Sequence, residues 1–266
     1  MSQSLPPDFS PWDAEETPAP APRRRLKPGV KTLLWTLALI IAVAVILNEG
    51  VLRIRNVAVV GNERFGWAEI VAAAGLDQGV NYFAVEEAKI RDNLEQNRYL
   101  VYEGMEKHFP NGLTLYVRER TACANVQVMG VTYLLDDAGM VLERSGKQGV
   151  EDSLMVVTGF LAREVRVGKT LVPSLETQLA AYRALVQECE LQGVLEQISE
   201  LNLSDPDSLY LVTREGYTAH LGDAQELRAK IGTVRAVIAK LREMGKYGGV
   251  IEAAVPAVAT YTPAEL

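Results

Sequence analysis

An uncharged apolar run near the N-terminus constrains this chain more than any other feature. Residues Thr32 to Leu47 carry no charge and only two hydroxyl groups. A membrane-spanning helix needs about 20 predominantly apolar residues, and extending the run to Leu52 supplies that length. The flanking segment offers no protein surface for a wholly apolar helix to pack against, which excludes a buried core helix. We therefore predict one N-terminal transmembrane helix over residues 30–52.

Basic residues are concentrated on the N-terminal side of this run. Only Arg53 and Arg55 follow it closely, whereas five basic residues precede it. These five residues, which we expect to set the membrane orientation, are Arg23, Arg24, Arg25, Lys27 and Lys31. The positive-inside rule then places the N-terminus in the cytoplasm and the chain from about Arg53 outside.

The segment before the run is rich in proline, alanine and serine. Such a composition cannot bury enough apolar surface to fold, so residues 1–29 are predicted to be a disordered cytoplasmic tail. A cleaved secretory signal peptide is the alternative for the whole N-terminal region. Its basic region normally starts at the terminus, whereas this one starts at Arg23, and no small-x-small cleavage motif follows the run.

The segment after the span reads as a small module with the element order β-α-α-β-β. A strand over Ile54 to Val60 is followed by a helix that begins near Trp67. A second helix is predicted over Val85 to Gln96, because acidic residues fill its first turn. Two strands, Tyr99 to Lys107 and Leu113 to Val117, follow and are joined by a Pro-Asn-Gly turn.

Two segments of this module resemble the POTRA module of the FtsQ/DivIB family of bacterial cell-division proteins. The first is Ile54-Arg-Asn-Val-Ala-Val-Val-Gly-Asn62, directly after a membrane span. The second is Phe109-Pro-Asn-Gly-Leu-Thr-Leu-Tyr-Val-Arg-Glu-Arg120, and its Glu119-Arg120 ending is the most specific part. POTRA modules also precede outer-membrane barrels, but no series of barrel strands follows here.

The remaining sequence is similar to the β domain of the same family. Short strands and turns lead to a helix that we expect Ser174 to cap, and three more strands follow. Asp223 and Glu226 are predicted to form the capping box of a long helix. Val250 to Ala254 then returns as a strand that continues to Tyr261.

The predicted fold class is α+β. It comprises the transmembrane helix, the POTRA module, and a second mixed β domain with two helices packed on an antiparallel sheet. The predicted boundaries are 1–29 for the tail, 30–52 for the transmembrane helix, 53–121 for the POTRA module, 122–263 for the β domain and 264–266 for a short C-terminal end.

The sequence offers little for catalysis. The only histidines, His108 and His220, are far apart, and Arg163 stands where a phosphate-binding loop ending at Gly168-Lys169-Thr170 would need glycine. Cys123 and Cys189 read as small core residues, with a single bridge as the alternative in an oxidising compartment. We expect no enzyme activity, cofactor or metal. The net charge of −7 argues against a nucleic-acid partner.

The resemblance implies a function. FtsQ/DivIB proteins act as scaffolds of the division machine that bind bitopic coiled-coil partners of the FtsL and FtsB/DivIC types. Through these partners they act indirectly on the septal peptidoglycan synthase. The resemblance therefore implies a non-enzymatic, single-pass scaffold in the plasma membrane, enriched at the division septum and in contact with lipid through its anchor. A membrane-anchored cell-wall enzyme or receptor is the alternative.

A partner site is expected at the end of the chain. A terminal strand laid on a sheet leaves one side unpaired, and such an edge can accept a partner strand through backbone hydrogen bonds. In FtsQ/DivIB proteins the corresponding end receives the FtsB/DivIC-type partner, whereas simple burial is the alternative. The expected partner-binding residues are Ala253, Ala254, Val255, Ala257, Val258, Ala259 and Tyr261.

Overall fold

A computed structural model describes residues 28–77, 79–146 and 152–264 of the chain. The chain divides after Leu52 into two compact units, Met1–Leu52 and Arg53–Leu266. The first unit contains the apolar helix. The second contains both of the modules expected from the sequence.

The apolar run forms helix α1, Pro28–Ile46, which continues into a π-helical turn over Leu47–Val51. Its segment Gly29–Ile46 has a mean hydropathy of 2.2, and it is the one helix among the described residues that is long and apolar enough to cross a membrane. The hydroxyl group of Thr36 donates to the carbonyl oxygen of Leu33 at 2.9 Å. Bonding a hydroxyl within its own helix removes the cost of placing it in hydrocarbon.

The first module has the predicted β-α-α-β-β order. Its elements are β1 Asn56–Val60, α2 Trp67–Ala73, α3 Glu87–Glu95, β2 Leu100–His108 and β3 Gly112–Glu119. The strand order in the sheet is β1-β3-β2, with β1 parallel and β2 antiparallel to β3. Alternate β3 residues, such as Leu113 and Leu115, are buried against Ile70 of α2 and Leu94 of α3, as expected for a sheet with one covered face.

The second module is built on a nine-stranded sheet. Its first part comprises β4 Ala124–Val128, β5 Val131–Leu135, β6 Val141–Arg144, β7 Met155–Thr158, β8 Ala162–Glu164, β9 Val172–Pro173 and α4 Glu176–Leu191. Its second part comprises β10 Ile198–Asn202, β11 Leu209–Thr213, β12 Tyr217–Gly222, α5 Leu227–Glu243, β13 Gly249–Val255 and β14 Val258–Thr262. The strand order is β14-β13-β12-β11-β10-β7-β4-β5-β6, while β8 and β9 form a separate pair.

The α+β fold class is confirmed, but the large sheet is mixed rather than antiparallel. The pairs β4–β7, β7–β10 and β12–β13 are parallel. Parallel neighbours need a crossover connection, usually a helix. Here α4 lies in the chain between β7 and β10, and α5 lies between β12 and β13. The two helices that the sequence predicted therefore impose parallel pairing on the strands that they connect.

Both predicted helix caps are wrong. Helix α4 begins after Leu175 without a side-chain cap. Helix α5 begins after Glu226, which has a left-handed φ of 52° and provides no side-chain cap either. The carboxylate of Asp223 instead accepts a hydrogen bond from the ammonium group of Lys230 at 2.7 Å. The Lys230 side chain is 3% exposed, and a buried charge needs a partner more than a helix end needs a cap.

Candidate functional site

The C-terminal segment forms a hairpin rather than one continuous strand. Pro256 and Ala257 make the turn between β13 and β14, and Ala257 has a left-handed φ of 62°. Of the residues expected at the edge, Ala253, Ala254 and Val255 belong to β13, whereas Val258, Ala259 and Tyr261 belong to β14. Strand β13 lies inside the sheet between β12 and β14, so only β14 presents an outer edge.

The two faces of β14 differ. Ala259 and Tyr261 pack against the core of the second module, and the Tyr261 hydroxyl group donates to the carbonyl oxygen of Gly248 at 3.0 Å. Val258 lies on the opposite face and is 60% exposed. Ala253 of β13 is fully buried. An incoming strand would therefore meet the backbone of β14 and the side chain of Val258, while Tyr261 is partly committed to holding the hairpin in place.

The opposite end of the large sheet is covered. The edge residue Val141 of β6 donates its N–H to the carbonyl oxygen of Lys169 at 3.0 Å and accepts the N–H of Gly168 at 2.8 Å. This is the role of the Gly168-Lys169-Thr170 segment that matched the end of a phosphate-binding loop. Among the described residues, no segment pairs in this way with the outer side of β14. Within the part of the chain that the structure describes, one edge of the sheet is covered at Val141 and the other, β14, has no paired segment.

Glu119 organises the loop that follows β1. Its carboxylate accepts backbone N–H groups from Glu63, Arg64 and Phe65 at 2.8, 3.0 and 3.0 Å. Burial by itself would raise the pKa of Glu119, but the three N–H donors stabilise the ionised form and lower the pKa overall. Glu119, which belongs to the motif that carried the family resemblance, thus stabilises a loop within the first module.

Arg120 connects the two modules. Its guanidinium Nη1 lies 2.5 Å from the Asp136 carboxylate, which is fully buried in the turn between β5 and β6. The same carboxylate accepts the N–H groups of Ala138 at 3.0 Å and Met140 at 2.6 Å. The sequence predicted only a turn at Asp136. The Glu119-Arg120 motif was the one feature of the sequence that pointed to Arg120, but it did not identify Asp136 as its partner.

Other chemically capable residues in the described chain are held by structural contacts. His108 lies 3.0 Å from the Thr114 hydroxyl group, and His220 lies 3.3 Å from a Glu252 carboxylate oxygen. Cys123 and Cys189 are both free. Burial raises the pKa of each thiol to about 12, and a protonated thiol is a poor nucleophile. No group of three potential metal ligands occurs among the described residues.

A cleft of about 1040 Å³ lies at the junction of the two modules. It is lined by both acidic and basic residues, including Arg118, Glu119, Asp137, Glu190, Glu196 and Arg214. Arg214 is occupied, because its guanidinium donates to the carbonyl oxygens of Asp152, Ser153 and Glu196. At least two of the side chains that line the cleft, Glu119 and Arg214, are therefore engaged in hydrogen bonds to the backbone.

The structure describes the predicted orientation residues only in part. Lys31 is exposed on α1. The other four, Arg23, Arg24, Arg25 and Lys27, lie outside the described residues.

The described features define a class of protein: a chain with one apolar N-terminal helix, a β-α-α-β-β module and a mixed β domain. Comparison with family models agrees with this architecture. Residues 52–120 match the POTRA domain of FtsQ type, and residues 124–253 match the C-terminal domain of cell division protein FtsQ/DivIB. The chain belongs to the FtsQ/DivIB family of cell-division proteins.

Individual relatives carry the same names. A cell division protein FtsQ of Syntrophotalea carbinolica is 24% identical over 83% of this chain and 80% of its own length. An FtsQ of a Geobacter species is 31% identical over 62% of this chain and 59% of its own length. A cell division protein DivIB of Clostridium botulinum is 23% identical over 79% of this chain and 81% of its own length. The single apolar helix among the described residues and the similarity to these division proteins together fit a single-pass membrane protein.

Proposed function

We propose that this protein is a non-enzymatic scaffold of the division machine, and that the outer edge of β14 is its partner-binding site. The proposed partners are bitopic coiled-coil proteins of the FtsL and FtsB/DivIC types, which link the scaffold to septal peptidoglycan synthesis. The single observation that carries the site is the asymmetry of the large sheet. Its β6 edge is covered at Val141 by backbone hydrogen bonds with Gly168 and Lys169, whereas no segment within the described residues pairs with its β14 edge.

The side chains of β14 also favour strand addition. Exposed edge strands are usually protected by lysine, proline or a covering segment. Val258 to Thr262 contains no charged residue and no proline. Backbone bonds to such an edge would provide affinity, and side chains on alternate residues would provide selectivity. The proposal therefore assigns the main contact to the backbone of β14 and a selective contact to Val258.

The bond between Arg120 and Asp136 supports a scaffold role. A scaffold has to hold its binding edge in a defined position, and a buried, charge-assisted contact between modules restricts their relative motion. A second contact joins the Tyr99 hydroxyl group of the first module to the Glu143 carboxylate of the second.

Val258→Lys is the variant that tests the binding edge. The side chain is 60% exposed, so the folded protein should tolerate lysine, whereas a strand docked beside it would bury the charge. We expect the affinity for the ectodomain of an FtsB/DivIC-type partner to fall by about tenfold or more, corresponding to roughly 1.4 kcal/mol. The measurement is a binding titration with the full chain in detergent, alongside a melting curve.

The matched control is Val172→Lys, which introduces the same change on strand β9 at a residue that is 42% exposed. Its affinity should equal that of the unmodified chain. Equal affinity of all three proteins would refute the edge assignment. Tyr261→Lys is a less informative variant, because it would also remove the bond to Gly248.

The alternative function is a membrane-anchored cell-wall enzyme or receptor, and the cleft between the modules is the observation that favours it. Its acidic residues could contact a polar ligand, but Glu119 already binds three backbone N–H groups. A peptidoglycan fragment that protects the cleft residues from hydrogen exchange would support this alternative, and the absence of protection would exclude a receptor of this type.

A further inference from the structure

Three aromatic rings form a cluster on the first module, and two of them are exposed. The Tyr82 ring lies edge-to-face with Phe83, at a centroid distance of 5.3 Å, and with Phe109, at 5.7 Å. Both phenylalanines are 71% exposed. The ammonium group of Lys107 lies 5.9 Å from the Tyr82 ring centroid. Tyr82 is partly buried against the core of the module, so the exposed part of the cluster is the pair of phenylalanine rings. Single exposed apolar residues are common, whereas neighbouring exposed aromatic rings indicate a contact surface.

A groove adjoins this cluster and contains one arginine. Its volume is about 630 Å³, and its lining includes Arg55, Trp67, His108 and Phe109. The Trp67 indole N–H donates to the carbonyl oxygen of Val57 at 2.7 Å, and its side chain is 51% exposed. Among the described residues, no acidic side chain lines this groove, although the chain as a whole has a net charge of −7. The groove is therefore suited to an anionic, partly apolar ligand.

The chain connects both aromatic segments to the residues that follow the apolar helix. Arg53 comes directly after Leu52 and forms a β-bridge with Asn81, two residues before Phe83. The N–H of Arg55 donates to the carbonyl oxygen of Asn111 at 3.1 Å, two residues after Phe109. Both aromatic segments are therefore bonded to residues that follow Leu52 by one and three positions, and one residue spans at most about 3.6 Å of chain.

We propose that the surface formed by Phe83, Phe109, Trp67 and Arg55 docks on the anionic headgroups of the bilayer in which the chain is anchored. Aromatic side chains favour the interface between headgroups and hydrocarbon. Basic side chains beside them are attracted to anionic lipids. This docking would restrict the first module at the membrane surface. It does not depend on the proposed partner site, which lies on the other module.

Trp67 serves as the native reporter for a test in the full chain. The chain has three tryptophans, and replacing Trp12 and Trp35 by phenylalanine leaves Trp67 as the sole indole. The protein is reconstituted in nanodiscs of phosphatidylcholine and phosphatidylglycerol that contain a headgroup nitroxide lipid. We expect fluorescence quenching at least about twofold stronger than for a control chain whose sole indole is at Leu191→Trp, because interfacial tryptophans contact headgroups. Leu191 lies at the end of α4 and is 70% exposed.

Variants and lipids provide the specificity controls. Phe83→Ser with Phe109→Ser should reduce the Trp67 quenching to the control level, and Arg55→Gln alone should weaken it. Nanodiscs of phosphatidylcholine alone should also weaken it. The proposal is overturned if Trp67 is quenched no more than the control indole, if the Phe variants and Arg55→Gln leave quenching unchanged while their melting curves stay intact, or if phosphatidylcholine alone gives equal quenching.

Discussion

Arg118 and Arg120 lie two positions apart at the end of β3, yet their surroundings differ. Arg118 is about half exposed, and it pairs with Glu103 at 3.3 Å and Asp137 at 3.6 Å. Arg120 is 14% exposed at its side chain, and it pairs with the fully buried carboxylate of Asp136. Exposed ion pairs contribute little to stability because water solvates the separated charges. Loss of one partner of a buried pair leaves an uncompensated charge.

These surroundings predict different costs for the same substitution. Arg120→Ala should lower the free energy of unfolding by about 3 kcal/mol, whereas Arg118→Ala should lower it by less than about 1 kcal/mol. Urea unfolding of the three proteins in a mild detergent measures both values. Equal losses for the two variants would contradict a special role for Arg120 at the junction.

The loop between β1 and α2 shows how one side chain can stabilise a whole connection. Glu119, at the end of β3, accepts the three N–H groups of residues 63–65 and so fixes the start of the path toward α2. A carboxylate is suited to this task because it can accept several hydrogen bonds at once. Gly61 lies close to the same strand: a Cβ built on it would approach the Val117 carbonyl oxygen to 2.0 Å.

This arrangement predicts a dependence of stability on pH. The pKa of Glu119 is lower in the folded protein than its ordinary value of 4.5. Its stabilising contribution is therefore fully present above about pH 4.5 and is lost as the pH falls through the folded pKa. Glu119→Gln should lower the melting temperature at neutral pH and lose less further stability than the unmodified chain on acidification. Melting curves from neutral to acidic pH test this, and parallel acid profiles of the two proteins would contradict it.

For the whole molecule, the orientation in the membrane is a proposal that comes from charge. Five basic residues precede the apolar run and two follow it closely, so we expect the chain from Arg53 onward to lie outside the cytoplasm. A reporter that is active only in the cytoplasm, fused after Leu266, should be silent. Replacing the five preceding basic residues by glutamine should raise the signal. A strong signal from the unmodified fusion would show the opposite orientation.

The sequence by itself determined the apolar helix, the β-α-α-β-β order of the first module and the family. These features are encoded locally: an uncharged run needs no partner to be recognised, and alternating residues such as Leu113, Leu115 and Val117 identify a strand. The specific Glu119-Arg120 ending was also visible, although its contacts were not.

Only the tertiary structure decided which strands are neighbours and which polar groups meet. The pairing of β7 with β10 depends on the path of α4, and the contact between Arg120 and Asp136 joins different modules. Asp223 matched a helix cap, but the nearby buried ammonium group of Lys230 takes its carboxylate. Likewise, the sequence pattern predicted a single terminal strand edge, whereas the structure has two strands separated by a turn at Pro256 and Ala257. Sequence patterns report local preferences, whereas sheet edges and buried charge pairs depend on which segments pack together.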